Sequence, residues 1–218
     1  MKQINLASLT FAFLFGFTLL NAQNSTSIQI SGGLISPMHA FDGLGGTIQI
    51  EKKLDSVFSI YAYTGYYAWY KNRVNFIDES SMFQKTNLFQ SYNTDDHKLI
   101  PLFVGAKINL HTNNYFLTFL EFEFGYSHLS YNSFQNRKSI DPLTGAVVLY
   151  YADQSTRKSV DEDLFGFGLG AGIYRPLSKI FGLIFSYKLS THLNSSYNGF
   201  FESKGTYSQF MAGFNFIL

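Results

Sequence analysis

Cysteine is absent from all 218 residues. That excludes a disulfide framework, thiolate metal centres and a nucleophilic thiol. It also closes the lipoprotein route to a membrane, which needs a cysteine at the cleavage point. Charge is scarce too. Asp, Glu, Lys and Arg make up 14% of the chain, against about 25% in an average soluble domain. With a formal net charge of +1 there is no global pull toward nucleic acid. Past Gln23 no long apolar run repeats at the helical period, and no heptad or solenoid repeat occurs. HExxH, Walker and GxSxG motifs are missing as well, and nothing in the chain implies a cofactor.

What is present is aromatic. Phe occurs 24 times and Tyr 15 times, and aromatic residues make up 18% of the chain. The N-terminus is of another kind. Lys2, the apolar run Leu9–Leu20 (LTFAFLFGFTLL) and the small residue Ala22 in LNAQ read as a secretory signal peptide over 1–22. The run is too short for a membrane-spanning helix. Residues 23–218 are then expected to be a single exported domain.

In that domain, alternation of period two dominates. Ile28, Ile30 and Leu34 share one face, as do Leu44, Ile48 and Ile50. Between Val57 and Tyr70 the phase is hardest to read; Phe58, Ile60, Ala62 and Tyr66 are placed on the apolar face. Ile100 to Leu110, Phe116 to Tyr126, Phe165 to Ile173, Phe181 to Leu189 and the terminal FMAGFNFIL continue the pattern. Eight strands result, joined by connections that alternate between short and long. Short turns, long loops, an even strand number and segments of about ten alternating residues define a transmembrane barrel.

A soluble lipocalin-like barrel would use the same strands with the apolar face inward. The polar face decides against it. Gly, Ser, Thr, Gln and Asn dominate there, which suits a narrow hydrated interior, whereas a soluble exterior would carry many charges. The expected fold is therefore all-β: an eight-stranded, antiparallel, up-and-down transmembrane barrel. Closure satisfies every backbone group that hydrocarbon leaves unsolvated. Tyr66, Tyr67, Trp69 and Tyr70, with Tyr115, Phe116, Tyr174 and Phe181 at the other strand ends, are expected in aromatic belts at headgroup level.

With these features the chain resembles small outer-membrane β-barrel proteins of Gram-negative bacteria, especially the group called "porin family" in Bacteroidota. The resemblance is carried by LNAQ, the eight alternating strands from Thr26 to Leu218, and the final GFNFIL. It implies an outer-membrane location among lipid and lipopolysaccharide. It further implies a signal for the barrel-assembly machinery on Phe210, Phe214, Phe216 and Leu218, with Leu where Phe is commoner. Eight strands leave an interior that side chains fill, so the porin label does not imply a wide pore. By parity Lys107, Glu121, Glu123 and Lys188 point inward and are expected to form a charge network plugging the lumen. The glycines at 166, 168, 170 and 172 are expected to make room for bulky neighbours.

The link from Tyr131 to Glu162 holds Asp141-Pro142 and Gly145, a type I turn followed by a left-handed residue, and then renewed alternation over Ala146–Tyr151. The fifth and sixth strands are thus expected to run beyond the membrane as a protruding hairpin. Its free edge either captures a protein partner by strand addition or shields the barrel mouth. His128 and Ser130 share an outward face, a spacing similar to that of lipid A deacylases, with Glu162 the candidate orienting acid. Asp95, Asp96 and His97, and Asp161 to Asp163, are alternative Ca²⁺ clusters. Arg137, Lys138, Arg157 and Lys158 are alternative contacts for lipopolysaccharide phosphates. The leading expectation is a non-enzymatic barrel that supports the envelope or binds a partner through its loops. A lipid-modifying enzyme and a narrow channel for small or apolar solutes are the alternatives.

Overall fold

The computed structural model describes residues 25–38, 41–71, 73–78, 87–111, 115–193 and 205–218; the expected signal peptide at 1–22 lies outside them. Among the described residues ten strands follow one another: β1 Thr26–Pro37, β2 Gly43–Lys53, β3 Phe58–Trp69, β4 Arg73–Asp78, β5 Asn87–Tyr92, β6 His97–His111, β7 Leu117–Ile140, β8 Val147–Pro176, β9 Phe181–His192 and β10 Tyr207–Ile217. Eight of them close into an antiparallel barrel in the order β1-β10-β9-β8-β7-β6-β3-β2. The seam joins β1 to β10 from Ser27↔Ile217 to Pro37↔Tyr207, so the barrel has no open edge at membrane depth.

Alternation decides which side chains face out. On β10, Phe210, Phe214 and Phe216 are exposed, while Met211 and Gln209 are buried. On β3 the outward set is Phe58, Ala62 and Tyr66, with Ser59, Tyr61 and Tyr63 buried, as the expected phase required. The exterior apolar residues are about half exposed, for example Leu34 at 55% and Phe124 at 49%. They have protein beside them and none above them, which suits hydrocarbon and not water.

Two strands were not anticipated. The long link after β3 was read as a loop, but β4 and β5 form a separate two-stranded sheet there, registered from Arg73↔Tyr92 to Asp78↔Asn87. Each has only six residues, too few for alternation to stand out from chance.

Short turns close the other end. Asp55 accepts the N–H groups of Val57 and Phe58, each at 2.7 Å, between β2 and β3. The N–H of Leu177 donates to Phe181 at 3.0 Å between β8 and β9.

Candidate functional site: a filled lumen and a protruding hairpin

The middle of the lumen is built from two rows of cross-strand neighbours. One runs Lys107, Glu121, Gly170, Lys188, Gln209 from β6 to β10; the next runs Gly105, Glu123, Gly168, Ser190, Tyr207. A Cβ at Gly168 would lie 2.7 Å from Glu123 Oε1, and one at Gly170 would lie 2.9 Å from Glu121. At Gly172 it would strike the Phe119 ring, and at Gly166 the His192 ring at 2.8 Å. The glycines of β8 are the space into which the side chains of β7 and β9 fold.

That space lets charges meet across the barrel. Lys188 Nζ is 2.6 Å from Glu123 Oε2 and 3.5 Å from Glu121 Oε1. Glu123 also accepts hydrogen bonds from Tyr61 at 3.1 Å, Tyr63 at 2.8 Å and Ser190 at 3.4 Å. Lys107 faces Glu121 in register, yet its ammonium pairs with Glu51 at 2.5 Å. The rings of Tyr63 and Phe119 lie 4.4 Å and 4.5 Å from the Lys188 and Lys107 ammonium groups. All four residues expected in the network are therefore brought together. Glu51, Tyr61 and Tyr63 complete it and were missed as members, although Glu51 alternates with Ile48 and Ile50 and so falls on the polar face.

Above this layer, toward the long loops, Ile35, Tyr67, Trp69, Leu99, Leu129, Tyr131, Leu164, Tyr207 and Met211 form a buried apolar cluster. Three belt expectations are corrected here. Tyr67 and Trp69 are 0% and 4% exposed and fill the lumen, whereas Tyr66 and Tyr70 face outward at 49% and 61%. A strand shows only alternate residues to lipid, so four aromatics within Tyr66–Tyr70 cannot all reach it. Tyr67 donates to Gln209 Oε1 at 2.9 Å, and Trp69 stacks on His97 with centroids 5.5 Å apart. Tyr174 also turns inward, against Gly182. Phe210, Phe214, Phe216 and Leu218 all stand on the lipid face of the terminal strand.

On the outer rim, His128 Nδ1 lies 3.0 Å from Asp163, which also accepts a hydrogen bond from Tyr126. The carboxylate beside His128 is therefore Asp163. Glu162, the sequence candidate, pairs with Leu129 in register and belongs to the inward face, on the other side of the strand from His128. Ser130 is placed beside Asp161, and no hydrogen bond joins it to His128 among the described residues. The Ca²⁺ clusters lose their ligands. Asp95 accepts from the backbone and side chain of Asn132, both at 2.6 Å, and His97 is stacked inside. Among the described residues no group of three or more His, Asp or Glu is placed to hold a metal ion.

β7 and β8, with 24 and 30 residues, continue past the barrel as one hairpin. At its tip the N–H of Gly145 donates to Asp141 O at 2.8 Å and Gly145 has φ 71°, the left-handed conformation that the Asp-Pro…Gly pattern calls for. Asp141 also accepts from Leu143 N–H and the Thr144 hydroxyl, which hold its carboxyl below the usual carboxylate range. A bulge interrupts the ladder between Ser133 and Gln135. There Asp153 takes hydrogen bonds from Ser155 and pairs with Arg137 at 2.5 Å, so its carboxyl is also held low. The β4–β5 sheet docks on this hairpin through Phe76, whose ring stacks on Tyr150 with centroids 4.2 Å apart, and Phe89 at 5.6 Å. Arg157 reaches Asp95 at 3.9 Å. From Val147 to Leu164 the only described strand paired with β8 is β7.

A closed eight-stranded ring with a lipid-suited exterior and a filled interior defines the chain as a transmembrane β-barrel. No family model matches it, and no curated protein matches its sequence. Among solved structures it is similar to Neisserial surface protein A, with a TM-score of 0.55 and 13% identity over 88% of this chain and 96% of that one. It is also similar to a major outer membrane protein from Thermus thermophilus, with a TM-score of 0.50 and 9% identity over 88% and 99% of the two chains. At such identities the likeness is one of fold.

Proposed function

We propose that this chain is an outer-membrane surface barrel that acts by binding: a plugged barrel holds a rigid hairpin outside the cell, and the hairpin engages a partner. The observation that carries this reading is the length of β7 and β8 and their bracing. The other six barrel strands have 11 to 15 residues. From Tyr131, just past the last β6 partner Ser130, to Ile140 the hairpin covers roughly 30 Å along the strand, at about 3.3 Å per residue. Ile140, Leu143 and Val148 are exposed near its tip, with Leu143 at 93%. The outer-membrane setting, the "porin family" affinity and the role of the terminal strand as an assembly signal belong to the same reading, and rest on the sequence pattern together with the shared fold. Affinity capture from intact outer membranes, with the full chain and with the 131–162 hairpin shortened, tests it. Loss of captured partners on shortening is expected; an unchanged set refutes it.

A second reading has one observation in its favour. Asp163 lies 3.0 Å from His128 Nδ1, the acid and base of a nucleophilic triad whose hydroxyl would have to come from Ser130. If the chain modifies lipid A, Ser130→Ala abolishes the change in acylation seen by mass spectrometry; identical lipid A with and without the hydroxyl removes the enzyme reading.

A further inference from the structure

Toward the hairpin tip, β8 is paired on one side. Val147 stands opposite Ile140, Leu149 opposite Ser139, Tyr150 opposite Lys138 and Tyr151 opposite Arg137, all on β7. On its other side no described strand pairs with β8 before Gly166. The β4–β5 sheet is separate from this ladder and meets β8 on its face, through the rings of Phe76 and Phe89 on Tyr150. A strand side of this kind is a template for another chain, and proteins usually blunt it with charge or proline. From Val147 to Ala152 (VVLYYA) there is neither. Val148, Leu149 and Tyr151 are exposed at 55%, 45% and 44%.

The segment matches itself. Laid antiparallel to a second copy about a two-fold axis at Leu149, Val147 falls opposite Tyr151 and Val148 opposite Tyr150. Aromatic and β-branched residues are favoured cross-strand partners. Val147, Leu149 and Tyr151 of both copies then line one face of the joined sheet, and Val148 and Tyr150 the other. Moving the axis to Tyr150 sets the charge of Asp153 against Val147, and moving it to Val148 leaves only Val147 to Leu149 of the strand in the pairing. The pattern therefore selects one register. An axis of this kind runs perpendicular to the sheet and reverses the second strand. With the hairpin rising from the membrane, the second copy is inverted and anchored in a facing membrane.

We propose that the Val147–Tyr151 edge pairs with the same edge of a second copy of this chain in an opposed membrane, joining two cell surfaces through a four-stranded sheet. This rests on the reading of the hairpin as a binding element and names its partner. The pairing engages only Val147 to Tyr151 on each side, against about 20–30 residues a side in a standard interface, so one contact is weak. Many copies on two facing surfaces act together, and avidity supplies the strength that a single pairing lacks.

The test reconstitutes the barrel into phosphatidylcholine vesicles of two colours, with the folded state of each variant checked by its gel shift. Clustering is read as co-pelleting of the two colours. Barrel-bearing vesicles are expected to cluster with one another and to leave empty vesicles dispersed. Leu149→Lys and Leu149→Glu, each alone, bring like charges together on the axis and are expected to drop clustering to the level of empty vesicles. Mixing Leu149→Lys vesicles with Leu149→Glu vesicles is expected to restore it. Dispersed native vesicles overturn the proposal, as do clustering that survives both substitutions and a mixture that stays dispersed. Recruitment of empty vesicles overturns it too, since the tip would then be entering lipid. A foreign protein lost from outer-membrane capture on shortening the hairpin, with native vesicles dispersed, overturns this inference and keeps the binding reading; an unchanged capture with dispersed vesicles overturns both.

Discussion

Glu123 is held by four groups at once: Lys188, Tyr61, Tyr63 and Ser190. Glu123→Ala removes the acceptor for all of them and leaves a buried ammonium without its nearest partner, a loss of about 3–5 kcal/mol by analogy with broken buried pairs. Urea unfolding of the refolded barrel should show that loss, and a variant as stable as the parent would contradict the network. Tyr63→Phe should cost about 1.5–3 kcal/mol, the range for a hydrogen bond to a charged group. Gly168→Leu acts in the opposite sense, by overfilling. Its Cβ would meet Glu123 at 2.7 Å, so the yield of folded barrel should fall sharply. Acid should act on the hairpin. Asp141 and Asp153 have folded-state pKa values lowered from 3.8, chiefly by hydrogen bonds from Leu143 and from Ser155. Their support is present above that value and is lost as pH drops below it through the depressed folded value. Hydrogen exchange of the 135–153 ladder, extrapolated to a common intrinsic rate, should then accelerate only below pH 4 or so, on the reference carboxylate scale.

At the scale of elements, the β4–β5 sheet and the β7–β8 hairpin depend on one another through Phe76, Phe89 and Tyr150. Tyr150→Ala should release the small sheet, since aromatic pairs contribute about 0.5–1.5 kcal/mol beyond area burial. Limited proteolysis would then cut within 71–96 while the barrel core stays intact; unchanged resistance would show that the stack does not brace the hairpin. This element was only half legible in the sequence. The β7–β8 extension could be read because Asp141-Pro142 and Gly145 punctuate a long alternating run, and turn chemistry is local. The β4–β5 sheet could not, because six-residue strands acquire their identity from the aromatic ring they pack on. The misplacement of Tyr67 and Trp69 had another origin. Their aromatic character suggested a lipid interface, but the phase of β3, already assigned, demanded the lumen.

The molecule as a whole is a closed ring with a charge layer beneath an aromatic layer. The described side chains fill that interior, so purified barrel in planar lipid bilayers should show no steady ion conductance. A reproducible open level would contradict the plug. Period-two alternation and the order of short and long connections determined, from the sequence alone, that the chain forms an eight-stranded barrel and which residues face lipid. Both are local properties, fixed by a strand's own pleat and by the turn residues beside it. Only the tertiary structure decided that Lys107 chooses Glu51 over the facing Glu121 and that Asp163 and not Glu162 meets His128. Those choices depend on closure and on which strands stand opposite one another across the lumen, distances that no spacing along the chain encodes.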